Sequence, residues 1–169
     1  MKVRTAPHDL VRATVAEDHR PVGGIHIVKE RHVGKDAAYA VAFEDRDGVE
    51  RRGVVGLRRH DGGVWLPMGG FMGSARVTGD REVWMTWGGW GSGEGSTRAG
   101  FGGWVADAAA VSARVTDATG RTIEDVVENG VVLFLYKGNF GLGNARVDLL
   151  DAAGATIKSG TMRNGADVI

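Results

Sequence analysis

The 169-residue sequence contains no cysteine. Disulfides, thiolate zinc sites and thiol catalysis are therefore excluded. The compartment stays open on this count, because a reducing and an oxidising medium suit such a chain equally. An excess of charge of either sign is also missing, since 21 basic residues meet 21 acidic ones. A domain that depends on phosphate contacts carries a basic surplus, which argues against nucleic acid as the main partner. No apolar run approaches the roughly 20 residues of a membrane span. The opening "MKVRTAPHDLVRATVAED" lacks the apolar core of a secretory signal. The expectation is a soluble chain with no membrane span, cytoplasmic if it is the full gene product. Long stretches of helical period are absent as well. Residues 8–19 suit a short helix opened by Asp9, but Val11, Thr14 and Val15 suit a strand equally.

What the sequence has instead is turns. "VTDATGRTI" (115–123) and "LLDAAGATI" (149–157) share one pattern, and "FEDRDGVER" (43–51) is a looser copy. An Asp followed three residues later by Gly suits a type I turn closed by a left-handed glycine, the Asp carboxylate accepting from turn N–H groups. "ENGVV" (128–132) adds an Asn-Gly turn. The spacing therefore predicts positive φ at Gly120, Gly130 and Gly154.

The segments between these turns read as strands. Val111, Ala113 and Val115 share one face of "VSARVTD", as in a half-buried strand. "VVLFLYK" (131–137) is apolar on both faces and predicts a central strand covered on both sides. In "AYAVAFE", Tyr39, Val41 and Phe43 share one face and Ala38, Ala40 and Ala42 the other, so something must approach the alanine face closely, as a second sheet would. The fold class that follows is all-β, an antiparallel sandwich or barrel-like architecture of ten or eleven short strands with little helix. A chain of this length buries roughly 70% of its unfolded surface, so it needs no metal or cofactor to fold, and none is expected. Two modules are predicted: an N-terminal antiparallel β-module over 1–90 and a C-terminal immunoglobulin-like sandwich over 105–169, packed as one unit through the hairpin 83–105. The immunoglobulin-like look, of the bacterial kind, rests on hairpin patterning alone, without a family motif.

Four of the five tryptophans lie in "VWMTWGGWGSGEGSTRAGFGGWV" (83–105). Folded back on itself, the copies "WGGW" and "FGGW" set Trp87 against Trp104 and Trp90 against Phe101. One reading is packing, since paired aromatic rings stabilise a hairpin by about 0.5–1.5 kcal/mol beyond burial. The other is a binding platform of Trp87, Trp90, Phe101 and Trp104 with Glu94, Ser96, Thr97 and Arg98 as a polar rim, fit for a glycan or a planar ligand. A phosphate cradle at "GSGEGST" is disfavoured, because Glu94 repels an anion and no phosphate-binding signature is present.

Catalytic motifs are scarce. No serine sits in G-x-S-x-G. His26, Glu30 and His32 share parity on a straight strand, but His26 and His32 would stand about 20 Å apart, too far for one metal ion. The basic pairs Arg51–Arg52 and Arg58–Arg59 read as a solvated face diluted by nearby acids, with an acidic partner as the alternative. The expected function is a non-enzymatic β-rich binding or protein–protein interaction module, its partner another protein or the same chain. The alternative is a small-ligand or glycan-binding protein, or an enzyme, using the aromatic-glycine hairpin or the cleft between the two β-modules.

Overall fold

The computed structural model describes residues 5–69, 72–75, 83–90, 98–137, 144–163 and 167–168. The helix α1 (Pro7–His19) comes first and settles the open reading of 8–19. Pro7 stands in its first turn, where a missing N–H costs nothing. Arg20 closes it in the left-handed conformation, its N–H bonded to the Ala16 carbonyl at 3.1 Å, and Pro21 forbids continuation. Val11 and Val15 lie one turn apart on one face, and both are fully buried.

That face covers a first sheet of five antiparallel strands: β1 (Val22–Val33), β2 (Asp36–Glu44), β3 (Glu50–Arg59), β4 (Trp65–Pro67) and β5 (Met72–Ala75). The order is β1-β2-β3-β4, with β5 also pairing β3, so β1 is an edge strand among the described residues. The two faces of β2 separate as expected. Tyr39, Val41 and Phe43 pack with Val11 and Val15 under the helix. Ala38 and Ala40 pack with Trp104, Leu133 and Leu135 of a second sheet. Small alanine side chains are what let the two sheets come close.

The second sheet takes the remaining strands: β6 (Val83–Trp90), β7 (Arg98–Val105), β8 (Ser112–Thr116), β9 (Thr122–Val126), β10 (Val131–Lys137), β11 (Arg146–Leu150), β12 (Thr156–Arg163) and β13 (Asp167–Val168). Its order is β10-β7-β6-β13-β12-β11-β8-β9. The sheet curls until its two terminal strands meet, where the Leu133 N–H of β10 donates to Asp125 Oδ2 of β9 at 2.7 Å. Phe101, Phe134, Val115, Val147, Leu149 and Met162 fill the space inside this near-barrel. β10 is covered on both faces, as its sequence implies, but it ends the sheet rather than occupying its centre. The protein is thus all-β apart from α1 and one 3-10 turn among the described residues. Its layers run helix, sheet, curled sheet. The second sheet starts at Val83, so the aromatic-glycine hairpin belongs to it. No helix among the described residues is long and apolar enough to cross a membrane.

The three Asp-Gly turns are alike in atomic detail. Asp45, Asp117 and Asp151 each accept, through Oδ1, the backbone N–H groups two and four residues on, at 2.9–3.0 Å. Gly120, Gly130 and Gly154 have φ of 83°, 71° and 78°. At Gly154 nothing lies within 4 Å of where a β-carbon would stand. Gly154→Ala should therefore cost about 1–2 kcal/mol purely through the left-handed backbone, read as a lower urea midpoint. A loss of only a few tenths would show that the turn relaxes into another type.

Candidate functional site

The expected register of the aromatic hairpin is corrected. β6 and β7 are antiparallel, but Trp84 stands opposite Trp104, Trp87 opposite Phe101 and Trp90 opposite Arg98. Trp87 does not face Trp104, and Trp90 does not face Phe101. The reason is a third strand. β7 also pairs β10, with Phe101 opposite Phe134 and Trp104 opposite Val131, and the Phe101 and Phe134 rings stack at 4.8 Å. Phe101 is fully buried inside the curled sheet and Trp104 is 7% exposed between the sheets, the Arg52 guanidinium 5.9 Å from its ring. These two rings have protein on their faces. Glu94 lies outside the described residues, as do the side chains of Trp87, Trp90 and Arg98.

The four arginines of the β3 basic stretch all have partners. Arg51 bonds Asp45, Arg52 bonds Glu50, Arg58 bonds Asp36 and Arg59 lies over the Trp65 ring.

The polar chemistry gathers instead on β1. Its pairing with β2 slips twice, once between Val22 and His26 and once at Val28. The second bulge changes which face each later residue takes. His26 pairs with Ala42, on the alanine side, whereas Glu30 and His32 pair with Tyr39 and Ala37, on the helix side. The shared face of His26, Glu30 and His32 that a straight strand implies does not form. The third member of the cluster is His8, carried on the first turn of α1. Its Nε2 lies 2.5 Å from Glu30 Oε2. His32 Nε2 is 3.7 Å from the other Glu30 oxygen and 3.4 Å from the Tyr39 hydroxyl. Among the described residues, no group of three or more His, Cys, Asp or Glu side chains is placed to hold a metal ion.

The Tyr39 hydroxyl is pushed up to about 12, first by burial and then by the Glu30 carboxylate. An unfolded tyrosine loses its proton near 10.0. Between these values the native state binds more protons than the unfolded one, so this contribution is complete below pH 10 and is lost as pH rises to about 12. The expected loss is about 2–3 kcal/mol, visible in denaturation midpoints across that window. Tyr39→Phe should remove it, and an unchanged slope in that variant would refute the assignment.

On its other face β1 is tied to the second sheet. Lys29 Nζ donates to Asp125 Oδ2 at 2.7 Å and to the Val126 carbonyl at 2.5 Å, and pairs with Glu128 at 3.2 Å. Arg31 bonds the second Asp125 oxygen. The Lys29 and Asp125 side chains are 6% and 3% exposed. Asn129 Nδ2 reaches the carbonyl of the bulged Val28 at 3.3 Å.

Around this strand runs an open groove of about 790 Å³. Residues 25–30 of β1 form its floor, His8 and Arg12 of α1 one bank, and Glu128 and Asn129 of the β9–β10 turn the other. It runs along the β1 edge of the first sheet, from the helix on one face to the β9–β10 turn of the second sheet on the other. Composition alone does not point to it, because its banks come from residues more than a hundred positions apart. Comparison with known proteins adds no assignment: no protein-family model, no curated protein and no solved structure matches this chain.

Proposed function

We propose that the protein is a non-enzymatic β-rich binding module for a protein partner, and that its binding site is the groove along β1 between α1 and the β9–β10 turn. The observation that carries this reading is the groove itself, a concave surface that both sheets contribute to and that presents side chains of both signs. Concavity with a few convergent polar groups is the usual mark of a ligand site. Binding is favoured over catalysis because the carboxylates and the lysine of the groove already have partners. Glu30 is held by His8, and Lys29 by Asp125 and Glu128. Among the described residues no serine, threonine or cysteine lines the groove, and Tyr39 keeps its proton far above neutrality. The burial of Phe101 and Trp104 supports placing the site here rather than on the aromatic hairpin.

The test is an amide chemical-shift titration with three separate probes: cellobiose, succinate and a Val-Glu dipeptide. Shifts should concentrate at residues 25–30, 128 and 129. Shifts confined to 98–105 would return the site to the aromatic hairpin. Turnover of any probe would overturn the non-enzymatic reading.

A further inference from the structure

The groove also restricts what fills it, and the inference that follows rests on the reading of that groove as the binding site. We infer that its occupant is a short, extended, acidic peptide segment of a partner protein, laid along the open edge of β1. Backbone, shape and charge point the same way. Among the described residues β1 pairs with β2 alone, so its outer side offers backbone donors and acceptors to a further strand. The groove follows six consecutive residues of that edge, a length of about 20 Å at strand rise, which matches an extended chain better than a compact molecule.

The acids of the groove are already engaged, Glu30 with His8 and Glu128 with Lys29. What is left over is cationic or donating. Among the described residues Arg12 meets only Asp9 of its own helix, at 3.5 Å with both side chains exposed, an interaction of little energy. His26 is exposed and has no hydrogen-bond or ion-pair partner among the described residues. Carboxylates on the incoming segment would meet them, one on each side of the β1 edge.

The edge is guarded as well as open. The bulge at Val28, the Asn129 bond to its carbonyl and the inward-turned Lys29 are devices that stop unlimited strand addition. They confine pairing to short runs on either side of Val28. The segment is therefore short, and its side chains carry much of the recognition.

The probe is a fluorescein-labelled alternating Val-Glu peptide of roughly seven residues, the length of the groove, titrated with the full chain and followed by anisotropy. It should bind, and Arg12→Glu combined with His26→Glu should weaken it about tenfold or more, with the thermal midpoint unchanged because both side chains are exposed. The same peptide N-methylated at alternate residues should bind at least about tenfold more weakly, since each lost backbone hydrogen bond is worth up to that factor. Equal binding of the N-methylated peptide, or of an alternating Val-Lys peptide, overturns the inference. So does the absence of binding by the acidic peptide up to about millimolar concentration. Succinate shifting residues 25–30 while the peptide does not would sink the peptide and leave the groove standing. Peptide shifts on the aromatic hairpin alone would sink both.

Discussion

Asp125→Ala is expected to lower the unfolding free energy by about 3–5 kcal/mol. Three partners lose their acceptor together. The Lys29 ammonium, 6% exposed, keeps only the Val126 carbonyl and Glu128. Arg31 loses its carboxylate. The buried Leu133 N–H, where β10 meets β9, is left with no acceptor. A buried charge stripped of its buried carboxylate and an orphaned amide cost far more than an intact pair contributes, because neither recovers its water. The same asymmetry makes the repair specific. Lys29→Met combined with Asp125→Leu removes both buried charges, leaves the Leu133 amide orphaned as before, and should be less destabilised than Asp125→Ala alone. Urea unfolding followed by tryptophan fluorescence reads both. A loss below about 1 kcal/mol in the single variant would mean that water reaches the pair. Lys29 and Asp125 are 96 positions apart and fasten the first sheet to the second, so the variant should also disturb the groove they adjoin.

The parts of this fold that could be read from sequence are those whose physics is local. The Asp-Gly turns announce themselves because one carboxylate and one glycine, three residues apart, determine the geometry. β2 announces its two environments because small and large side chains alternate along it. β1 does not, and the reason is a single residue. The bulge at Val28 sends Glu30 and His32 to the helix side and Lys29 and Arg31 to the second sheet, and no strict period of two anticipates that. His8 gives no local signal because a helix from elsewhere in the chain carries it to Glu30. The hairpin register is not written in β6 and β7 because glycine-rich strands have few side chains to hold them, so the decision passes to β10. Length and periodicity left α1 open, and the prolines that bound it, Pro7 and Pro21, were the available signal.

The aromatic hairpin should show its role through stability. Phe101→Ala is expected to cost about 3–5 kcal/mol, the range for an aromatic ring deleted from a closed core. Phe101 is fully buried, stacked on Phe134 with an interplanar angle of 23°, and meets Tyr136 edge-on at 6.1 Å. It lies where β7 is hydrogen-bonded to β6 on one side and β10 on the other. Its ring therefore holds the register of two strand pairs whose glycines cannot. The next residue explains why that register matters. A β-carbon on Gly102 would meet the Val54 Cγ2 at 3.1 Å and the Val132 carbonyl at 3.3 Å, so the two sheets approach closely at Gly102. A slip of β7 by one residue in one direction would bring the Phe101 ring into that gap. Phe101→Leu keeps most of the volume and forfeits the stacking, about 0.5–1.5 kcal/mol, so the two variants together separate cavity from ring geometry. Denaturation midpoints measure both. Near-wild-type stability in Phe101→Ala, with loss of a bound glycan instead, would show that the hairpin is a platform and that the packing described above is not what holds it.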